Sequence, residues 1–126
     1  MATVRYLVDD VDAVLEFYTA RLGFELEKRW GPPFAIVTRG DLRLWISGPQ
    51  SSAAQPMPDG RKPEPGGWNR LVIEVEDLPS YVEDLRKEGV TFRGEIVEGP
   101  GGKQVLIEDP SGNPIELFEP SGQSAR

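Results

Sequence analysis

The sequence of 126 residues contains no histidine and no cysteine. Without cysteine there are no disulfides, no zinc–thiolate sites and no thiol nucleophiles. Without histidine the usual neutral-pH general base is gone, with every Ser–His arrangement and the commonest transition-metal ligand. No apolar run is long enough to span a bilayer, and Met1 leads into polar and charged residues rather than a signal peptide, so a cytoplasmic protein is expected. Cations are also scarce, with 14 Lys+Arg against 21 Asp+Glu and a net charge of −7. Nucleic acid and anionic membrane would both be repelled, which leaves room for a cationic or neutral small molecule. Hydrophobic residues make up 38% of the chain, enough for the core of one ordinary domain.

Alternation and helical spacing divide the chain into βαβββ, a break, and βαβββ again. Val4, Tyr6 and Val8 alternate as a strand, Asp9-Asp10 offers an N-cap, and Val11, Val14, Leu15, Tyr18 and Leu22 recur at helical spacing up to Gly23. Strands over 24–30, 34–38 and 42–46 follow, separated by Gly31-Pro32-Pro33 and Arg39-Gly40-Asp41. The first unit thus spans 1–47. Residues 48–67 hold five prolines and four glycines, which exclude a helix or inner strand and predict a linker or covering loop. The second unit, 68–120, has a strand at 70–75, a helix capped by Asp77, and strands over 90–97, 104–107 and 115–118. Residues 121–126 read as a flexible tail.

The halves superpose as a repeat: Val8-Asp9-Asp10-Val11 matches Val75-Glu76-Asp77-Leu78 at an offset of 67, Gly23 matches Gly89 at 66, and Gly40 matches Gly112 at 72. The expected fold is α+β in one domain. Two βαβββ units form a curved mixed sheet around a ligand-sized cup, with the helices on the convex side.

That repeat, with Phe17-Tyr18, Leu22-Gly23-Phe24 and the run Asp109-Pro110-Ser111-Gly112-Asn113-Pro114-Ile115-Glu116-Leu117, resembles the vicinal-oxygen-chelate superfamily of glyoxalases, bleomycin-resistance proteins, fosfomycin-resistance enzymes and extradiol dioxygenases. The resemblance covers residues 2–120; it implies, for catalytic members of the superfamily, a divalent metal at four symmetric places. Carried over, these are Thr3, Leu44, Arg70 and Glu116. Only Glu116 keeps the expected type, because leucine cannot coordinate and arginine brings a permanent positive charge. A catalytic ion needs about three protein ligands. The expectation is therefore no metal and no other cofactor, with an ion on Glu116 as the alternative.

Arg70 and Glu116 facing each other would pair, and each could present its charge to a ligand. Trp68 shares a strand face with Arg70, while Trp30 and Phe34 flank the Gly-Pro-Pro turn; together they suit a planar or cationic ligand. Trp45 falls opposite Leu44 and is assigned to the core beneath a helix. The function expected is metal-independent small-molecule binding, sequestering an antibiotic or toxic metabolite. The alternative is a lyase, isomerase or dioxygenase using Glu116 as general base or metal ligand. The superfamily also implies a homodimer.

Overall fold

The computed structural model describes residues 1–122. The chain divides into two compact units. Residues 1–66 with 110–113 form the first, and residues 67–109 with the described residues from Pro114 onward form the second. Each is one helix on an open mixed sheet, the α+β pattern that the repeat predicts.

In the first unit, β1 (Ala2–Leu7) runs parallel to β4 (Leu42–Ser47). β3 (Phe34–Arg39) and β2 (Glu25–Trp30) then continue the sheet antiparallel, in the order β1-β4-β3-β2. Helix α1 (Val11–Arg21) begins where Asp10 Oδ1 accepts the Ala13 amide at 3.2 Å, satisfying one of the amides the first turn leaves open. It packs Val14 and Tyr18 against the alternate residues Ala35, Val37, Leu44 and Ile46, all completely buried. Tyr18 meets Phe17 and Phe24 edge to face at 5.4 and 5.3 Å.

The proline-rich stretch belongs to this unit up to residue 66. It contains a 3₁₀ turn over Ser52–Ala54, in the part of the loop that has no proline, where the sequence predicts no helix of any kind. Ser51 Oγ donates to the Gly48 carbonyl at 2.7 Å just before that turn. The segment 110–113 joins the same unit by side-chain bonds. The Asp9 amide donates to Ser111 Oγ at 2.9 Å, the Gly66 amide to Asn113 Oδ1 at 2.8 Å, and Asn113 Nδ2 to the Leu7 carbonyl at 2.8 Å.

In the second unit, β5 (Leu71–Glu74) lies parallel to β9 (Pro114–Pro120), which pairs antiparallel with β8 (Gly102–Glu108). Helix α2 (Leu78–Lys87) starts at Asp77, whose Oδ1 accepts the Ser80 amide at 3.2 Å, and buries Leu78, Val82 and Leu85. The strand expected over 90–97 is two short ones, β6 (Thr91–Phe92) and β7 (Val97–Gly99), each paired with β8. Gly94 lies in the gap, and the Arg93 amide still bonds to the Leu106 carbonyl at 2.9 Å. Ser121, the start of the expected tail, donates its amide to the Gly101 carbonyl at 3.0 Å, and the rest of that tail from residue 123 lies outside the described residues. Among the described residues no helix is long and apolar enough to cross a membrane.

Candidate functional site

Strand alternation puts Arg70, just ahead of β5, on the same side as Val72, and the ladder sets Val72 opposite Glu116 on β9. This is the face turned away from α2, since Leu71, Ile73, Ile115 and Leu117 fill the other side. Arg70 and Glu116 meet as expected. Nε and Nη2 both donate to Glu116 Oε1, at 3.1 and 2.9 Å, and Nη1 donates to the Trp68 carbonyl at 3.3 Å. The two side chains are 28% and 12% exposed, so this is a half-buried, charge-assisted pair rather than a surface contact. Its second oxygen, Oε2, takes no hydrogen bond among the described residues.

A second arginine lies beside the first. Arg93 Nε donates to Glu108 Oε2 at 2.7 Å and Nη1 to the Gly67 carbonyl at 2.7 Å, while its guanidinium stands 4.6 Å from the Trp68 ring centroid. Trp68 is thereby held at its carbonyl by Arg70 and on one ring face by Arg93, with 68% of its surface still exposed. Arg70, Arg93, Gln104 and Leu106 border a shallow hollow of about 200 Å³. Sequence reasoning missed Arg93 and Glu108. For Glu108 the signal was present: period-two alternation places Gln104, Leu106 and Glu108 on the face shared by Glu116.

In the first unit the register corrects one expected position. Thr3 pairs with Arg43 and Val4 with Leu44, so Thr3 and Leu44 lie on opposite faces of the sheet. Leu44 is fully buried on the side packed by α1, whereas Thr3 is exposed. The residue sharing Thr3's side is Trp45, opposite Arg5. Because Arg5 and Val72 are equivalent in the repeat, Trp45 is the counterpart of Glu116, at an offset of 71 rather than 72. One fewer residue separates turn from strand in the second half, and a one-residue slip exchanges faces. Trp45 is therefore not beneath the helix.

Trp45 belongs to a row that crosses the sheet. Trp30 and Phe34 do come together, their centroids 5.4 Å apart, and Phe34 meets Trp45 edge to face at 5.6 Å. Lys28 Nζ lies 4.5 Å from the Trp30 centroid and the Arg5 guanidinium 4.8 Å from that of Trp45. Arg5 Nη1 also donates to the buried Ser47 Oγ at 3.4 Å. The Trp45 Nε1–H is buried and has no acceptor among the described residues. Nor, among the described residues, do any three His, Cys, Asp or Glu side chains gather as an ion would require.

Two helix-backed sheets related by an internal repeat, each with charged and aromatic side chains on the face turned from its helix, define a duplicated α+β protein of the vicinal-oxygen-chelate class. Residues 1–117 match the family model described as Glyoxalase/Bleomycin resistance protein/Dioxygenase superfamily, and the chain belongs to that superfamily. Among solved structures it is similar to a member of the same superfamily from Sphaerobacter thermophilus, at 26% identity and a TM-score of 0.74 over 94% of this chain and 95% of that one. It is also similar to TnmS3, an antibiotic binding protein from Streptomyces sp. CB03234, at 25% identity and a TM-score of 0.69 over 94% and 93%. Lactoylglutathione lyase from Agrobacterium tumefaciens shares the fold, at 20% identity and a TM-score of 0.75 over 94% and 92%. Among curated proteins no sequence matches the chain significantly.

Proposed function

We propose that the protein binds a small molecule without a metal ion and acts by sequestering an antibiotic or toxic metabolite. The observation that carries this reading is the engagement of Glu116 by Arg70. Glu116 is the one residue of family type at the four places where the superfamily would hold an ion. Its Oε1 already receives two guanidinium N–H groups. A guanidinium at this distance disfavours a divalent cation on the same carboxylate. The other places offer a threonine hydroxyl, an arginine and, by register, an indole. These residues do not fit a divalent ion, which needs about three ligands. Similarity to an antibiotic binding protein at 25% identity supports the same reading.

The candidate ligand-facing residues of this proposal are, taken unit by unit, Thr3, Arg5, Trp30, Phe34 and Trp45 on the first sheet, and Trp68, Arg70, Arg93 and Glu116 on the second. The protein works as a homodimer in it, consistent with Trp30, Val72 and Val97 being about half exposed or more. The open Oε2 of Glu116 favours one second reading, in which this carboxylate serves as a general base for a lyase or isomerase.

Titration of intrinsic tryptophan fluorescence against a panel of antibiotics and metabolites tests the proposal. A saturating change is expected for at least one compound, unaltered by a chelator, with no stoichiometric transition metal by elemental analysis. A bound transition metal, or a panel in which nothing saturates, overturns it. Turnover of a bound compound that is lost in Glu116→Gln transfers the case to the second reading.

A further inference from the structure

Each of the three tryptophans has a cation of the protein itself over one ring face, at 4.5 Å for Trp30, 4.8 Å for Trp45 and 4.6 Å for Trp68. Aromatic faces attract cations through the ring quadrupole. Here that attraction is already used, and a cationic ligand on the opposite face would share the same quadrupole while being repelled by the resident charge. Sequence reasoning pointed to a planar or cationic ligand; the occupied indoles divide those alternatives.

Charge balance in the first unit takes the argument further. The row Lys28–Trp30–Phe34–Trp45–Arg5 crosses all four strands and has a cation at each end. Neighbouring arginines are matched, Arg43 by Glu27 at 3.2 Å and Arg29 by Asp12 at 2.6 Å. Arg5 and Lys28 have no carboxylate partner among the described residues. The row's remaining polar group, the Trp45 Nε1–H, is likewise a donor without an acceptor. In a chain of net charge −7, this surface has two unmatched cations around a run of aromatic rings, with an unmet donor buried beneath them.

We propose that this row seats a planar aromatic anion, a ring system bearing a carboxylate, sulfonate or phenolate. The rings stack or pack edge-on against it, and Arg5 and Lys28 supply the counter-charge. The inference rests on the small-molecule reading above and names the chemical class of its ligand.

Calorimetric titration of the full chain with 2-naphthoate, 2-naphthalenemethanol and 2-naphthylmethylammonium tests it, because the three probes share one ring system and differ in charge. 2-Naphthoate is expected to bind about tenfold or more tighter than the ammonium probe, and to weaken with added salt. Arg5→Gln and Lys28→Gln should each weaken 2-naphthoate about threefold or more while shifting the neutral alcohol less than about twofold. Equal or tighter binding of the ammonium probe overturns the proposal, as does an equal shift of acid and alcohol in both variants. Lys28 is exposed on β2, so Lys28→Gln decides the matter if Arg5→Gln fails to fold. Should none of the probes bind while a compound of the broader panel still saturates, the aromatic-anion proposal falls alone. Should nothing bind at all, the binding reading falls with it.

Discussion

At the scale of single residues, the Arg70–Glu116 pair is asymmetric. Glu116 is the more deeply buried partner, with a side chain 12% exposed against 28% for Arg70. Removing the arginine strands a carboxylate largely out of water, whereas Glu116→Gln keeps an oxygen able to accept from Nε and Nη2. Arg70→Met is therefore expected to lower unfolding stability by about 1–3 kcal/mol, and Glu116→Gln by less than about 1 kcal/mol. Urea denaturation of both variants checks this, and the reverse order would contradict it. The meeting of these two residues was legible in the sequence because strand alternation and the repeat fix both positions. Trp45 was not, since its face depends on a single residue between turn and strand, which only the ladder register reveals. Arg93 escaped for a different reason. Its partners lie well away from it along the chain, Gly67 and Trp68 on one side and Glu108 on the other, and no local pattern connects them to Arg93.

At the scale of elements, the helices and their caps follow from local chemistry. An aspartate precedes each helix, accepts an amide of its first turn, and needs nothing distant to do so. The 90–97 region is the counter-example. Its apolar and charged residues alternate well enough to predict one strand, but Gly94 lies in the gap and the ladder to β8 breaks into β6 and β7. Farther along, β8 and β9 approach closely at Gly102. A Cβ there would run into the Glu119 carbonyl oxygen and come within 2.9 Å of the Pro120 Cα, both backbone atoms that cannot swing aside. Gly40, in the turn between β3 and β4, has φ +58° and open space around it. Gly102→Ala should therefore cost at least about 2 kcal/mol by forcing the two strands apart. Gly40→Ala should cost only the left-handed backbone penalty, about 1 kcal/mol. Gly102 itself has φ +150°, so thermal denaturation of the two alanine variants compares a steric clash added to backbone strain with conformational strain alone, and equal losses would argue against the close approach at β8 and β9.

At the scale of the whole molecule, the duplication organises the chain but does not fix where its parts go. Offsets of 66, 67 and 72 revealed the repeat, and the two sheets follow it strand for strand apart from the divided β6 and β7. What the repeat conceals is that residues 110–113, by sequence a turn of the second half, belong to the first unit. Asn113 explains why. Almost fully buried at 4% exposure, it gives Nδ2 to the Leu7 carbonyl and takes the Gly66 amide on Oδ1, joining points 106 and 47 residues away. A side-chain amide is suited to this because it is donor and acceptor at once. Asn113→Ala removes both bonds, leaving the Leu7 carbonyl and the Gly66 amide without these partners, and is expected to destabilise the protein by about 2 kcal/mol. Asn113→Asp keeps an acceptor for the Gly66 amide but turns a carboxylate oxygen toward the Leu7 carbonyl, so it should cost at least as much despite its near-identical shape. Urea titrations of the two variants against the parent chain decide between this role and simple turn formation. Were the asparagine needed only for its turn preference, aspartate, which favours turns for the same local reason, would restore most of the lost stability.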